Sequence, residues 1–229
     1  MDTQKENTDN KIIDKLIHKY SLKVQVFNNT QTTFKNLKES ASQLVSENRK
    51  QISCNKTRIP FEYRDKGEFH FELLFGSDVL VFMMHTNVFE FDRNHEVRKT
   101  SYIREDGERS YCGLIQVYNF LADSYKYNRD NDLGYLVARL FINKEMHYFI
   151  EGKKEIGLLY NSFAVAEMNK EVSKNIIESS MDYSINFDLL TPPFDEVKMV
   201  PIIEMKEYSN AMSLKTAKRL GFRFQADKE

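Results

Sequence analysis

The chain has few of the residues from which common cofactor and metal sites are built. Its two cysteines, Cys54 and Cys112, lie far apart and outside any motif, so neither a disulfide framework nor a zinc cluster is indicated. The eight glycines do not cluster, and the P-loop, G-x-G-x-x-G, G-x-S-x-G and H-E-x-x-H patterns are all missing. These absences argue against a phosphate-cradling loop.

The chain also lacks an excess of charge and any long apolar run. Its 33 basic and 34 acidic residues give a net charge of −1, whereas a general polyanion binder carries a strong basic excess. The apolar runs fall far short of the ~20 residues that span a bilayer, and the polar N-terminus does not look like a secretory signal. We therefore expect a soluble cytoplasmic protein that does not contact membranes.

What is present is enough apolar material for a core. Hydrophobic residues make up 41% of the chain and aromatic residues 13%, which excludes disorder of the whole chain. The pattern predicts an α+β fold, in which an antiparallel β-sheet is packed by helices and preceded by a helical N-terminal extension. We expect residues 1–52 to form this extension and residues 53–229 the α+β domain.

The N-terminal segment is periodic but ambiguous. Apolar residues recur at helical spacing from residue 9 to residue 50, and a single helix of that length would be ~63 Å long and would protrude from the domain. Asn28 and Asn29 offer a break, followed by Thr30 as a cap. The favoured interpretation is two helices, 9–20 and 31–50, with one long helix as the alternative.

The middle of the chain has strand patterns. Residues 59–63 and 69–75 predict two strands, and residues 79–91 predict a third that is apolar on both faces and therefore covered on both sides. Asp106-Gly107 predicts a hairpin turn between residues 99–104 and 109–112. Residues 133–142 and 146–151 predict a further hairpin across the three-residue loop 143–145.

Helices and short strands complete the predicted fold. Residues 113–127 fit a helix better than a strand, because strict alternation fails there. A second helix is expected over residues 164–181, with Val165 facing inward, and a last one over residues 210–220. Short strands are expected near residues 156–160, 185–189 and 198–206.

The first candidate site is a metal centre on the hairpin around Gly76. If that hairpin turned through two residues with Gly76 opposite Val79, His70 would stand opposite His85 with Glu72 on the same face, close enough to share a divalent metal. A three-residue loop would instead place His70 opposite Met84 and abolish the site. The apolar pattern does not choose between these registers.

The other candidate sites bind a polar ligand or a nucleic acid. In 119–132 a predicted helix face runs into a loop, a setting that often carries function. Glu151 and Lys153 match the E-x-K half of a metal-dependent nuclease site, but we expect Glu151 to face Val137, where no second acid lies. The candidate ligand-binding residues are His85, Asn119, Asp123, Lys126, Arg129, Glu151 and Lys153. The candidate nucleic-acid contacts are Lys215, Lys218 and Arg219.

Because none of these constellations is a complete catalytic set, the sequence favours a non-catalytic protein that works by binding. We expect the N-terminal helices to pair with another copy of the chain or with another protein, and we expect no cofactor. The alternative hypothesis is a metal-dependent hydrolase that uses His70, Glu72 and His85 with a divalent metal.

Overall fold

The computed structural model describes residues 2–53, 59–152, 162–188, 191, 193–203 and 205. Over these residues the chain is α+β, as the sequence predicts: a long N-terminal helix, an antiparallel sheet of seven strands, and further helices. The predicted strand 156–160 and the predicted helix 210–220 lie outside the described residues. So do Cys54, Lys153, Lys215, Lys218 and Arg219.

The N-terminal segment is one helix, α1, which spans Asp2–Ser53. At 1.5 Å per residue its 52 residues extend ~78 Å. The predicted break at Asn28 and Asn29 is wrong, because the helix continues through both residues, and the side chains of Asn29 and Thr30 find partners that leave it intact. Asn29 donates its side-chain amide to the carbonyl oxygens of Asn143 and Lys144, and Thr30 donates its hydroxyl to the carbonyl of Val26 at 2.7 Å.

Only part of α1 is packed. Residues 11–21 are almost wholly exposed, and burial begins at Leu22 and continues along one face to Ala41. Phe34 and Leu37 belong to the main hydrophobic cluster of the sheet, so this half of the helix shares the core of the protein. The division of the chain at residues 52 and 53 stays a prediction.

The sheet is antiparallel throughout. Its strands are β1 Phe61–Asp65, β2 His70–Phe75, β3 Asp78–Met84, β4 Phe89–Glu90, β5 Tyr111–Leu121, β6 Tyr135–Ile142 and β7 Tyr148–Gly152. Their order in the sheet is β1-β2-β3-β5-β6-β7, and β4 pairs with the first two residues of β5. Strands β1, β2 and β3 are neighbours both in the chain and in the sheet, as expected for hairpins.

The predicted helix over residues 113–127 is wrong, because most of it is the central strand β5. Only its end is helical, as α2, which spans Ala122–Lys126. Alternation fails in the sequence because the polar Asn119 lies on the buried face. There its side-chain amide donates to Asp78 Oδ1 and to the Tyr135 hydroxyl, both at 2.8 Å. Long-range pairing with β3 and β6 satisfies the backbone of β5 and overrides the local helical period.

The predicted hairpin at Asp106-Gly107 is also wrong. The segment before it contains a 3₁₀ turn at Glu96–Lys99 and a short helix at Ser101–Glu105, and a second 3₁₀ turn spans Gly107–Ser110. The Asp106 carboxylate accepts a hydrogen bond from the Glu108 amide at 2.9 Å and so caps this second turn. Asp-Gly therefore begins a helical turn here instead of closing two strands.

Both faces of β3 are covered, as its sequence predicts, although the strand ends at Met84 and not at residue 91. Leu80 and Phe82 face α1, while Val79 and Val81 belong to a separate cluster on the opposite face. A third cluster on that second face gathers around Phe91 beneath the short helices of residues 96–110. The sheet is thus the central layer of the protein.

The helix predicted over residues 164–181 is shifted. It spans Lys170–Ile185, and Asn169 caps it by accepting a hydrogen bond from the Val172 amide at 2.9 Å. Val165, which the prediction placed inward, precedes the helix and is 77% exposed. The predicted strands near 185–189 and 198–206 are wrong for the residues that the structure describes there, which are helical or irregular.

The helix α1 crosses β5 at Gly113. A Cβ atom built on Gly113 would lie only 2.7 Å from the Cβ atom of Thr30, which is itself fully buried. Glycine is therefore required by the close approach of the helix and not by its backbone angles. This contact sets the distance between α1 and the sheet.

We predict that Gly113→Ala destabilises the protein by about 1–3 kcal/mol, because an added methyl group in a fully packed contact forces α1 away from β5. Urea unfolding monitored by circular dichroism measures the change. Gly107→Ala is the matched control, since a Cβ atom there meets nothing within 4 Å. Equal stability of the two variants would contradict the proposed contact.

Candidate functional site

The predicted metal centre is not assembled, because both registers considered for the β2–β3 hairpin are wrong. The turn consists of Gly76 and Ser77, so Phe75 pairs with Asp78 and His70 pairs with Met83. Gly76 has a φ of +57°, a value that suits glycine in a tight turn.

Of the three candidate metal ligands, His70 and Glu72 lie near each other, whereas His85 has a partner of its own. The Glu72 carboxylate is 3% exposed and lies 3.4 Å from Lys66 Nζ and 3.7 Å from His70 Nε2. His85 lies beyond the end of β3, where its Nδ1 atom accepts a hydrogen bond from the Asn87 amide at 3.0 Å. Across the described ranges, no group of three or more His, Cys, Asp or Glu side chains is placed to hold a metal ion.

Asn119 lies apart from Asp123, Lys126 and Arg129, the other candidate ligand-binding residues of segment 119–132. It lies on the core face of β5 and is 1% exposed, and its partners are Asp78 and Tyr135. Burial raises the pKa of the Tyr135 hydroxyl above its ordinary value. The geometry is that of a hydrogen-bonded core cluster.

Three other candidate residues do come together. Asp123, Lys126 and Arg129 line a groove of about 770 Å³ beside the β2–β3 turn, and Glu62 and Arg64 line it too. Charged groups of both signs thus share the lining with the apolar residues Leu74, Val79 and Leu121. A groove of this size and lining can orient a small ligand that carries both charge and apolar surface.

Glu151 stands opposite Arg139, and their side chains form an ion pair. The predicted position opposite Val137 is wrong, because the connecting turn contains five residues, 143–147, and not three. It closes with a hydrogen bond from the Asn143 amide to the His147 carbonyl at 3.0 Å, and Met146 takes a positive φ of 61°.

A row of exposed apolar side chains lies on the projecting half of α1, and we call it the exposed stripe. Its members are between 38% and 68% exposed. They are Ile12, Ile13, Leu16, Ile17, Tyr20 and Val24. The sequence indicates their helical spacing, but only the fold shows that the sheet does not cover them.

The opposite side of the same helix segment is anchored to the sheet domain. His18 pairs with Glu108, and Lys19 contacts the Tyr111 hydroxyl. Leu22 is buried one turn later, and Gln25 donates its side-chain amide to the Lys144 carbonyl at 3.0 Å. These contacts fix the rotation of α1 about its axis, so the exposed stripe faces away from the domain.

A cluster of charges strengthens this anchor. Lys144 Nζ lies 2.7 Å from Asp106 Oδ2 and 2.8 Å from Glu108 Oε2, and Glu108 also pairs with His18. The hydrogen bond from Lys144 is the main reason that the pKa values of Asp106 and Glu108 lie below their ordinary values. These lowered pKa values mean that the folded state favours both ionised carboxylates.

Comparisons with known protein families, with curated proteins and with solved structures find no match for this chain. Among the described helices, none is both long and apolar enough to cross a membrane. The exposed stripe and the groove beside α2 are the two candidate functional surfaces of the described residues.

We predict that acid weakens the folded state through the Lys144 cluster. A carboxylate with a lowered folded pKa stabilises the fold above its unfolded pKa of ~4, and this contribution is lost as the pH falls through the folded value. Replacing Lys144 by methionine should therefore lower the unfolding free energy at pH 7 more than at pH 3. Urea titrations at the two pH values measure this difference.

Lys99→Met is the control for that experiment, because Lys99 pairs with Glu96 on the open surface, where such pairs contribute little. If Lys144→Met lowered the free energy of unfolding by the same amount at both pH values, the ion pairs of Lys144 would not account for the stabilisation.

Proposed function

We propose that this chain is a non-catalytic protein that acts by binding, and that it associates with itself through the exposed stripe of α1. The observation that carries the proposal is a six-residue apolar row on the projecting half of a helix whose other side is already anchored. A surface helix normally has one apolar face, which it buries in its own domain. A second apolar face is typical of an interaction surface.

The proposed setting is the cytoplasm. Cys112 is buried, and its burial raises the pKa of its thiol, so it is held as an unreactive thiol. The sequence contains no disulfide framework of the kind that small secreted proteins use.

The energetics favour a weak, reversible contact. Covering a half-exposed aliphatic side chain contributes about 1 kcal/mol, so six side chains from each of two copies contribute roughly 12 kcal/mol before costs. The loss of translational and rotational freedom opposes this by about 4–15 kcal/mol. With a cost at the low end of that range about 8 kcal/mol remains, which corresponds to association at micromolar protein concentration.

We predict that the double substitution Leu16→Gln with Ile17→Gln weakens self-association at least a hundredfold. Each dimer loses four apolar side chains, which corresponds to about 4 kcal/mol and hence up to a thousandfold in Kd. Sedimentation equilibrium over a range of concentrations measures the mass of both proteins. Truncation at residue 52 is unsuitable for this test, because it removes buried Leu22 to Ala41.

The matched control is Lys11→Gln with Ser21→Gln, which changes two exposed positions of the same helix outside the exposed stripe. We expect its Kd to stay within about twofold of the unmodified protein. Monomeric mass of the unmodified protein at the highest concentration reached would reject the proposed self-association.

A second candidate function is the binding of a small ligand in the groove beside α2. It is favoured by the convergence of Asp123, Lys126 and Arg129 on a groove that apolar side chains also line. Amide chemical shifts recorded during a fragment screen test it. Fragments that shift the amides of residues 121–129 in the unmodified protein, and less so in Lys126→Ala, would support a ligand site. If no fragment gave saturable shifts of these amides, the proposed ligand site would be rejected.

A further inference from the structure

The charges along α1 are distributed unevenly. Residues 2–14 contain four acidic and two basic residues, whereas residues 15–35 contain four lysines and no acidic residue. The acidic residues are Asp2, Glu6, Asp9 and Asp14, and the four lysines are Lys15, Lys19, Lys23 and Lys35. Because α1 is unbroken over this whole length, the helix has a negative first part followed by a positive second part.

The exposed stripe has the spacing of a helix-pairing seam. Ile13, Ile17, Tyr20 and Val24 follow one another at intervals of four, three and four residues, as core positions of a coiled coil do. Leu22 and Val26, by contrast, are buried against the protein's own sheet. The seam and the sheet therefore lie on different sides of α1. A helix from a second copy can approach the seam without displacing the sheet of the first copy.

From these observations we propose that the exposed stripe is occupied by α1 of a second copy of the chain, running antiparallel. In this arrangement Ile13 is level with Val24 of the partner subunit, and Ile17 is level with Tyr20 of the partner subunit. The inference rests on the proposed self-association and adds the orientation and register of the contact.

The charge distribution selects the antiparallel orientation. When residue 13 is level with residue 24 of the other copy, the acidic residues 2–14 lie alongside residues 35–23 of that copy, which carry Lys23 and Lys35. A parallel pair in register would instead place acidic segments together and lysine-rich segments together. It would also bring Asp9 next to Asp14 of the partner subunit across the seam.

The two orientations respond in opposite ways to a charge reversal at Asp14, which is exposed. In the antiparallel pair, Asp14→Lys places a positive charge alongside the lysine-rich part of the partner helix, and we expect the Kd to rise about tenfold at low salt. In a parallel pair the same change removes repulsion between acidic segments, and the Kd would fall. Sedimentation equilibrium distinguishes a rise from a fall.

Two further measurements complete this experiment. Adding Lys23→Glu to Asp14→Lys restores opposite charge between the two facing segments of the antiparallel pair. It should return the Kd part of the way to its original value, because residues 14 and 23 are level but lie on opposite flanks of the seam. Raising the salt concentration should shrink the effect of Asp14→Lys, because exposed charges are screened. A Kd that falls with Asp14→Lys, or one unchanged by it at low salt, would overturn the antiparallel assignment.

Disulfide trapping tests the register directly. Ile13→Cys and Val24→Cys are made separately in a chain with Cys54→Ser, while Cys112 is left in place because it is buried. Under mild oxidation above the Kd, we expect an equal mixture of the two variants to form a mixed 13–24 disulfide dimer, and each variant alone to form little dimer.

Every outcome of the trapping experiment decides between the hypotheses. Disulfide dimers from each variant alone, at 13–13 and 24–24, would indicate a parallel pair and overturn the inference. A protein that sediments as a dimer but forms no disulfide in any sample would overturn the register. A protein that stays monomeric at all concentrations would remove the proposed function itself, and not only its geometry.

Discussion

The packing of α1 across β5 is the contact on which the rest of the structure depends. The helix lies close enough to the strand for Thr30 to fill the space that a side chain on residue 113 would occupy. From this crossing point the buried face of α1, with Phe34 and Leu37, covers one side of the sheet. The same packing leaves the first turns of the helix beyond the sheet, so the core and the exposed stripe are parts of one rigid element.

Much of the fold was predictable from local pattern, because hairpins are local structures. The strands on either side of Gly76 and of Asn143 follow from alternating apolar residues and from turn residues between them. Their registers were not predictable. Asp78 looks like a turn residue, yet it joins β3 because Asn119, 41 residues later, donates a hydrogen bond to its carboxylate. No local sequence pattern indicates a hydrogen-bond partner that far away along the chain.

The same limit explains the errors about β5 and about the break in α1. In each case polar residues, Asn119 and Asn29, suggested an exposed position or an interruption. In the folded chain each is held by a partner distant in sequence, Tyr135 for one and the Lys144 carbonyl for the other. Of the candidate site residues, Asp123, Lys126 and Arg129 converge because they are close in sequence, whereas His70 and His85 depended on a register that a single residue changes.

The continuity of α1 through Asn28 and Asn29 has a mechanical consequence. From its last anchor at His18 to residue 2 the helix is a projecting arm of ~24 Å. A tilt of about 5° at that anchor would move the tip by about 2 Å. Small adjustments in how the helix sits on the sheet would thus be amplified at its far end, and a load applied at that end would be felt in the hydrophobic core.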